Sequence, residues 1–183
     1  MKQTIFYVVA PLWFLGLLSA GRTCAQNPPE PQSLTRPVVA DTTLRWKSFP
    51  DAVAEAEATD KKLLIFVYTD WCGWCRKFQR EVYTDPAVRQ YLNETYAITR
   101  VNAEGTQSLS FKNMTFTESE LALSLQVRGF PTHVFMAPGR EKLQYLYAMP
   151  GFMPSDKFGK TLRYFGENHF ENTSLDAYLG NSE

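Results

Sequence analysis

The sequence predicts an α/β fold in which a central mixed β-sheet is flanked by helices on both faces. First, the continuous apolar run at positions 62–68 has the composition of a strand that is buried on both faces. Second, strand and helix patterns alternate after that run, which indicates parallel connections. Third, two strands meet across a turn at Pro138-Gly139, which indicates an antiparallel hairpin.

Each helix is predicted from its start signal and its apolar periodicity. Ser48 is the expected N-cap of the first helix, which should end near Ala58. Thr117 and Glu120 resemble a capping box for a helix that continues through Val127. The other predicted elements are strand 62–68, helix 72–82, a helix from Asp85-Pro86 through Leu92, strands 96–101, 132–136 and 143–148, a helix capped by Ser155-Asp156 that ends near Phe165, and a short segment at 173–179.

Residues 1–25 have the layout of a secretory signal peptide. Lys2 provides the positive start, an apolar run covers positions 5–18, and small residues follow. The run is short for a membrane span. We therefore expect cleavage after Ala25 and export, with the bacterial periplasm as the destination.

Two other fates of this leader are possible from the sequence. One is an uncleaved membrane anchor, and the other is a lipoprotein anchored through Cys24. Arg22 and Thr23 argue against the lipoprotein, because such signals usually have small residues there. The proline-rich residues 26–43 are predicted to be a linker, and residues 44–183 the folded domain.

Composition limits the class of partner. The chain has 183 residues, of which 44% are apolar and 14% aromatic, so it can bury one medium-sized core. Its 19 basic residues balance 19 acidic ones, with no basic stripe. We therefore expect no nucleic-acid partner.

Cleavage after Ala25 would leave two cysteines, Cys72 and Cys75, separated by two residues. A disulfide that closes so short a loop constrains the unfolded chain little, so a purely structural bond is the weaker interpretation. Zinc needs about four ligands, and His133 and His169 are not at zinc-finger spacing, so we expect no metal. The pair is better explained by redox chemistry.

The position of the pair between a buried strand and a helix supports that chemistry. A thiol at a helix N-terminus lies near free backbone N–H groups and the positive end of the helix dipole, and both stabilise a thiolate. Cys72 is expected to be the exposed sulfur that attacks a disulfide. Cys75, one turn further along the helix, is expected to be buried and to resolve the mixed disulfide.

The run DWCGWCRKF after LLIFVYT resembles the active-site strand and helix of the thioredoxin superfamily, closest to exported members with a tryptophan-rich motif. Residues 127–132 resemble the loop that carries that family's cis-proline, here Pro131. The resemblance covers about residues 44–168 and implies the thioredoxin fold and protein-disulfide oxidoreductase activity. It also implies that client proteins contact Trp71, Phe130 and Pro131. Gly73 and Trp74, between the cysteines, are further candidate client contacts, and the alternative for Trp74 is simple packing on the helix.

Two departures from the family affect the chemistry. Phe66 occupies the position of the family's buried acid, and the dipeptide between the cysteines is Gly73-Trp74. Asp70 and Glu104 are polar residues that could replace the acid as proton acceptor for Cys75. The direction of electron flow therefore stays open, with the reductant role slightly favoured.

The expected partners are protein thiols and disulfides, together with a membrane or soluble thiol protein that recharges the pair. The protein is expected to be a monomer and to need no cofactor besides the redox-active disulfide. The alternative function is a chaperone-like adaptor without redox turnover. His133 could modulate a thiolate, although we favour a strand residue with satisfied hydrogen bonds.

Overall fold

The computed structural model describes residues 43–111, 114–139 and 143–180. The predicted signal peptide (residues 1–25) lies outside these ranges, as does the predicted linker (residues 26–43) apart from Thr43. Within the described ranges, no helix is both long enough and apolar enough to cross a membrane.

The described ranges contain seven strands and six α-helices. In chain order these are β1 (Trp46–Lys47), α1 (Phe49–Thr59), β2 (Lys62–Tyr68), α2 (Gly73–Glu81), α3 (Pro86–Thr95), β3 (Tyr96–Asn102), β4 (Ser108–Phe111), β5 (Met114–Thr117), α4 (Glu118–Ser124), β6 (Thr132–Ala137), β7 (Gln144–Pro150), α5 (Ser155–Gly166), a 3-10 turn (His169–Glu171) and α6 (Leu175–Gly180).

Five of the strands form one mixed sheet in the order β1-β3-β2-β6-β7. Strands β1, β3 and β2 run parallel, whereas β6 pairs antiparallel with both β2 and β7. The predicted mixed sheet with a β6–β7 hairpin is therefore confirmed.

Helices cover both faces of this sheet, as predicted. On one face, α1 and α4 pack against Ile65 and the other odd-numbered apolar residues of β2. On the other face, α2, α3 and α5 pack against Leu64 and Phe66. The side chains of β2 alternate between two separate cores, so this strand is buried on both faces.

The predicted helix starts are mostly confirmed. The Ser48 hydroxyl accepts the Asp51 backbone N–H at 3.3 Å, and Thr117 and Glu120 form a reciprocal capping box. The Asp85 carboxylate caps α3 by accepting two backbone N–H groups.

Three predicted boundaries are wrong. Helix α4 ends at Ser124 instead of reaching Val127, because Gln126 takes a left-handed φ of 58° and turns the chain out of the helix. Ser155 does not cap α5: Pro154 occupies the N-cap position, and no side chain makes a capping bond. Strand β7 extends to Pro150, because Thr132 and His133 provide pairing partners for its last two residues.

Strand β1 and the β4–β5 pair were not predicted from the sequence. Strand β1 is two residues long and is defined by its pairing with β3, so it has no periodicity of its own. Strands β4 and β5 each have four residues, too few for alternation to be distinguished from a loop. Phe116 of β5 packs edge-on against Phe49 of α1, with ring centres 6.1 Å apart.

Candidate active site

Cys72 and Cys75 form a disulfide at the junction of β2 and α2, with Cα atoms 5.2 Å apart. Cys72 is the N-cap of α2, and its Sγ accepts the backbone N–H of Cys75 at 3.0 Å. This sulfur therefore lies at the positive end of the helix dipole beside a backbone donor. Both features stabilise a thiolate when the disulfide opens.

Both sulfurs are shielded from solvent in this closed pair. Cys72 is 3% exposed and Cys75 is 1% exposed. The prediction that Cys72 is exposed is therefore wrong for the disulfide form, whereas the prediction that Cys75 is buried is confirmed. The physical reason is that both cysteines belong to a buried apolar cluster against which the half-buried rings of Phe130 and Phe152 pack.

Trp71, which precedes Cys72, is 64% exposed. Its ring contacts Phe130 edge-on, with centres 6.0 Å apart. Its indole Nε1 donates to both carboxylate oxygens of Glu104, at 3.0 and 2.9 Å. A large apolar surface beside the disulfide is thus held in one orientation while facing solvent.

Trp74, between the cysteines, is 57% exposed. Its ring centre lies 5.5 Å from that of Phe152, in the loop between β7 and α5. The Lys77 ammonium lies over both rings, 5.1 Å from the centre of Trp74 and 4.6 Å from that of Phe152. The disulfide is therefore accompanied by two aromatic pairs, Trp71 with Phe130 and Trp74 with Phe152.

The loops that carry Phe130 and Phe152 are tied together. The Phe130–Pro131 peptide bond is cis, as the resemblance implies, and Pro131 is buried. The Pro131 carbonyl accepts the backbone N–H of Gly151 at 2.7 Å. Gly151 has a φ of +92°, a conformation that side-chain-bearing residues rarely adopt. This bond fixes the two phenylalanine-bearing loops relative to each other.

Gly73 leaves the surface between the cysteines open. A Cβ atom there would meet only the guanidinium of Arg76, at 4.0 Å. Arg76 itself donates to the Asp70 carbonyl at 2.7 Å. Gly73 therefore leaves room for another chain to approach closely, although a side chain at this position would not clash with its surroundings.

Asp70 and Glu104 do not lie in the buried environment of Cys75. Both residues are exposed. The Asp70 carboxylate accepts the amide N–H of Asn102 at 3.1 Å, and the Glu104 carboxylate is bound to Trp71. The structure gives both side chains roles at the surface, so neither replaces a buried acid.

Phe66 occupies that position within a cluster of rings. It packs against Phe78, Tyr83 and His133, with ring centres 5.2 to 6.2 Å away. His133 Nε2 lies 3.0 Å from the Tyr83 hydroxyl, but Nδ1 has no hydrogen-bond partner among the described residues. Burial lowers the pKa of His133 to about 3 and raises the pKa of Tyr83 well above its usual range. His133 is thus a strand residue of which only one nitrogen is satisfied.

Three residues near this site were not singled out from the sequence: Lys77, Tyr83 and Phe152. Lys77 follows Trp74 by three residues on one helix, and that spacing was a usable signal. Phe152 follows a glycine at the end of a strand, which is a weaker signal. Tyr83 meets His133 across 50 positions of sequence, which no local pattern reveals. In the described ranges, no three His, Cys, Asp or Glu side chains are grouped to hold a metal ion.

The geometry supports thiol–disulfide exchange. The reduced pair would have one sulfur stabilised as a thiolate at the helix N-terminus and a second within bonding distance of it. The observed disulfide is the oxidised end state of that exchange.

Comparison with known proteins agrees with this geometry. A family model described as a thioredoxin-like domain matches residues 49–166. The thiol:disulfide interchange protein DsbD of Salmonella typhi is 32% identical over 111 residues, and that of Escherichia coli strain K12 is 30% identical over 112 residues. Each match covers 60% of this chain but only 18% of the relative. The chain therefore corresponds to less than a fifth of these curated relatives.

Solved structures extend the comparison to the fold. A thioredoxin-fold protein from Helicobacter pylori, 25% identical, covers 67% of this chain and 84% of its own with a TM-score of 0.59. A thioredoxin from Thermus thermophilus, also 25% identical, covers 72% of this chain and 98% of its own with a TM-score of 0.56. The sheet, its helices and the cysteine-bearing turn therefore follow a known architecture.

Proposed function

Since the chain belongs to the thioredoxin-like family, we propose that it is a protein-disulfide oxidoreductase of the cell envelope that reduces the disulfides of other proteins. The observation that carries this proposal is the Cys72–Cys75 disulfide, with Cys72 at the N-terminus of α2 and its Sγ accepting the Cys75 N–H at 3.0 Å. The same geometry would stabilise the Cys72 thiolate after reduction.

In the proposed reaction, the Cys72 thiolate attacks one sulfur of a client disulfide. A Cys72–client bond forms, and the other client sulfur leaves as a thiolate that takes up a proton. Cys75 then loses its proton and attacks Cys72 Sγ, which closes the observed disulfide and releases the second client thiol. Two electrons pass to the client, and the protein is left oxidised.

Client contacts are proposed at the surfaces around the disulfide. The exposed Trp71 and Trp74 rings present apolar surface to solvent, and each packs against a phenylalanine ring. Such a surface suits binding to a partly unfolded client chain. Gly73 leaves room for a backbone. Phe130 and Pro131 complete this set, with the Phe130 backbone pairing with the client.

A second thiol protein must return electrons to the pair. The similarity to a segment of a thiol:disulfide interchange protein supports a protein dithiol as this donor, membrane-bound or soluble. We propose that the protein meets both partners as a monomer. Residues 1–25 would direct it to the envelope, with the periplasm as the compartment.

Reduction of insulin disulfides in the presence of dithiothreitol tests the redox activity. The wild-type chain without residues 1–25 should accelerate insulin precipitation, and Cys72→Ser should abolish the acceleration. Phe116→Leu, which changes an aromatic residue of β5 that packs against α1, is a control that should retain activity. Full activity in Cys72→Ser would rule out the proposed attacking sulfur.

Trapping in cells separates the enzyme from the adaptor. Cys75→Ala should accumulate mixed disulfides between Cys72 and client proteins, because the resolving sulfur is missing. Cys72→Ala/Cys75→Ala should accumulate none. If the single variant also trapped no client, the adaptor without redox turnover would be favoured.

A further inference from the structure

The ring of Phe152 rests on one face of helix α2. Lys77 and Phe78 follow Trp74 by three and four residues, so these three side chains share that face. The Phe152 ring centre lies 5.5 Å from that of Trp74 and 5.9 Å from that of Phe78. Phe78 is fully buried, whereas Trp74 is 57% exposed. Phe152 therefore connects the buried core to an exposed indole in the segment between the two cysteines.

The main chain is fixed on both sides of Phe152. Gly151, before it, donates its N–H to the Pro131 carbonyl at 2.7 Å, and Met153, after it, is buried. Trp74 has a helical backbone, but the orientation of its largely exposed ring depends on side-chain contacts. An exposed side chain without such contacts changes rotamer freely in solution. The group that keeps Trp74 on Phe152 therefore bears on how the protein binds a client.

The Lys77 ammonium bridges these two rings. Its Nζ lies 5.1 Å from the ring centre of Trp74 and 4.6 Å from that of Phe152. Both distances are within the range of cation–π attraction, about 6 Å. A Glu81 carboxylate oxygen lies 3.8 Å from the same Nζ, one helical turn further along α2. An exposed ion pair of that length contributes little to stability, so the two rings are the stronger reason for the position of the ammonium.

The other tryptophan beside the disulfide is held in the same way. Trp71 packs on Phe130 and donates to the Glu104 carboxylate. Each exposed tryptophan of the site thus contacts one phenylalanine from a neighbouring loop and one charged side chain. Rings that are ordered before a client arrives lose less conformational entropy when it binds.

Building on the proposed function, we propose that Lys77 is a positioning residue that holds Trp74 against Phe152 and so prearranges the client surface on that side of the disulfide. In this role Lys77 acts through Trp74 rather than on the sulfurs. Without the ammonium, the indole would have to be ordered in each binding event. Loss of the ammonium should therefore weaken client binding and leave the exchange between the sulfurs unchanged.

Single-turnover reduction of a synthetic client measures this effect. The client is two short peptides joined by one disulfide, with a phenylalanine beside each cysteine and a fluorophore and quencher that separate on reduction. It carries no charged group, so direct attraction to Lys77 cannot contribute. With reduced protein in excess, Lys77→Met should raise the protein concentration that gives the half-maximal rate by about threefold or more. The limiting rate should stay nearly unchanged.

Three further variants make the kinetic test specific. Lys77→Arg should keep the wild-type half-maximal concentration, because a guanidinium also binds over aromatic rings. Lys157→Met removes the same charge from an exposed position of α5 and should match wild type. Adding Lys77→Met to Trp74→Ala should cause no further rise, because Lys77 then has no indole to hold. A wild-type value in Lys77→Met, an equal rise in Lys157→Met, or the full rise in the Trp74→Ala background would each overturn the inference.

Nuclear Overhauser effects between the Trp74 and Phe152 rings give a second measurement that needs no activity. They should be present in the wild type and in Lys77→Arg, and weaker in Lys77→Met. Effects of equal strength in all three proteins would contradict the positioning role. A reduced wild-type protein that left the client disulfide intact would instead refute the proposed function, and the ring contacts in Lys77→Met would still decide the role of Lys77.

Discussion

The Trp71 indole Nε1 donates to both carboxylate oxygens of Glu104, at 3.0 and 2.9 Å. Glu104 follows β3, whereas Trp71 follows β2, so the bond joins the ends of two neighbouring strands. Trp71 is largely exposed. The bond to Glu104 and the contact with Phe130 therefore fix the orientation of an indole that faces solvent. Glu104 is therefore a positioning residue for the proposed client surface.

Loss of the Glu104 carboxylate should weaken client binding. We predict that Glu104→Ala raises the KM for insulin in the disulfide-reduction assay about three- to tenfold, with a smaller change in kcat. The free energy of unfolding should change by about 0.5 kcal/mol, since the site is at the surface. Glu104→Gln keeps one acceptor oxygen and should have an intermediate KM. Equal KM values for all three proteins would contradict this role.

Trp74 should matter for protein clients but not for small thiols. We predict that Trp74→Ala lowers kcat/KM for insulin about tenfold, because an aromatic surface backed by Phe152 is lost. Reduction of the Cys72–Cys75 disulfide by dithiothreitol should be as fast as in wild type or faster. Trp74→Phe, which keeps a ring, is the control. Equal losses toward insulin and dithiothreitol would show that Trp74 acts on the disulfide itself.

Gly151 should be sensitive to any side chain. Its φ of +92° is unfavourable for alanine, although a Cβ atom at this position would have no neighbouring atom within 4 Å. Gly151→Ala should therefore destabilise the protein by about 1 kcal/mol through backbone strain alone, and should lower insulin reduction by disturbing the bond to Pro131. Denaturant unfolding measures the first effect.

Gly129 supplies the matched control for Gly151. A Cβ there would also meet nothing within 4 Å, and its φ is not in the left-handed region. Gly129→Ala should be neutral or stabilising by up to about 1 kcal/mol. If both alanine variants lost the same stability, backbone conformation would not be the cause.

His133 should make stability depend on pH. Its folded pKa is about 3, below the value of about 6.5 in an unfolded chain, so unfolding takes up a proton between these values. The part of the free energy of unfolding that depends on neutral His133 is fully present above about pH 6.5 and is lost as the pH falls toward 3. Between pH 7 and pH 5 the wild type should lose about 2 kcal/mol from this residue.

His133→Leu should lack this pH-dependent part of the free energy of unfolding. Because the two proteins share all other titrating groups, the difference between their denaturant-unfolding free energies at pH 7 and pH 5 isolates the histidine. At neutral pH the substitution has two opposing effects on stability, because it removes the unsatisfied Nδ1 but leaves the buried Tyr83 hydroxyl without its partner. Parallel pH profiles would show that His133 is not neutralised by burial.

The parts of the fold that were predictable are those with a local signal. The apolar run of β2, the caps at Ser48 and Thr117, and the cysteine pair are each readable within a few residues. Strand β1 was not, because it exists through pairing with β3. The early end of α4 depends on the backbone of Gln126, which no periodicity indicates.

The cysteines and the proline of the site could be predicted from the sequence, but the hydrogen bonds around them could not. The bonds from Trp71 to Glu104 and from His133 to Tyr83 join residues 33 and 50 positions apart. Such contacts arise from the topology of the sheet and not from spacing in the chain. The shielding of Cys72 arises likewise from loops that meet only in the folded protein.

The reduction potential of the Cys72–Cys75 pair tests the central claim most directly. It can be measured by equilibrating the purified protein with glutathione mixtures and counting free thiols. A reductant of protein disulfides should have a potential near that of thioredoxin, about −270 mV. A potential near about −120 mV, that of a strong oxidant, would contradict the proposed direction of electron flow.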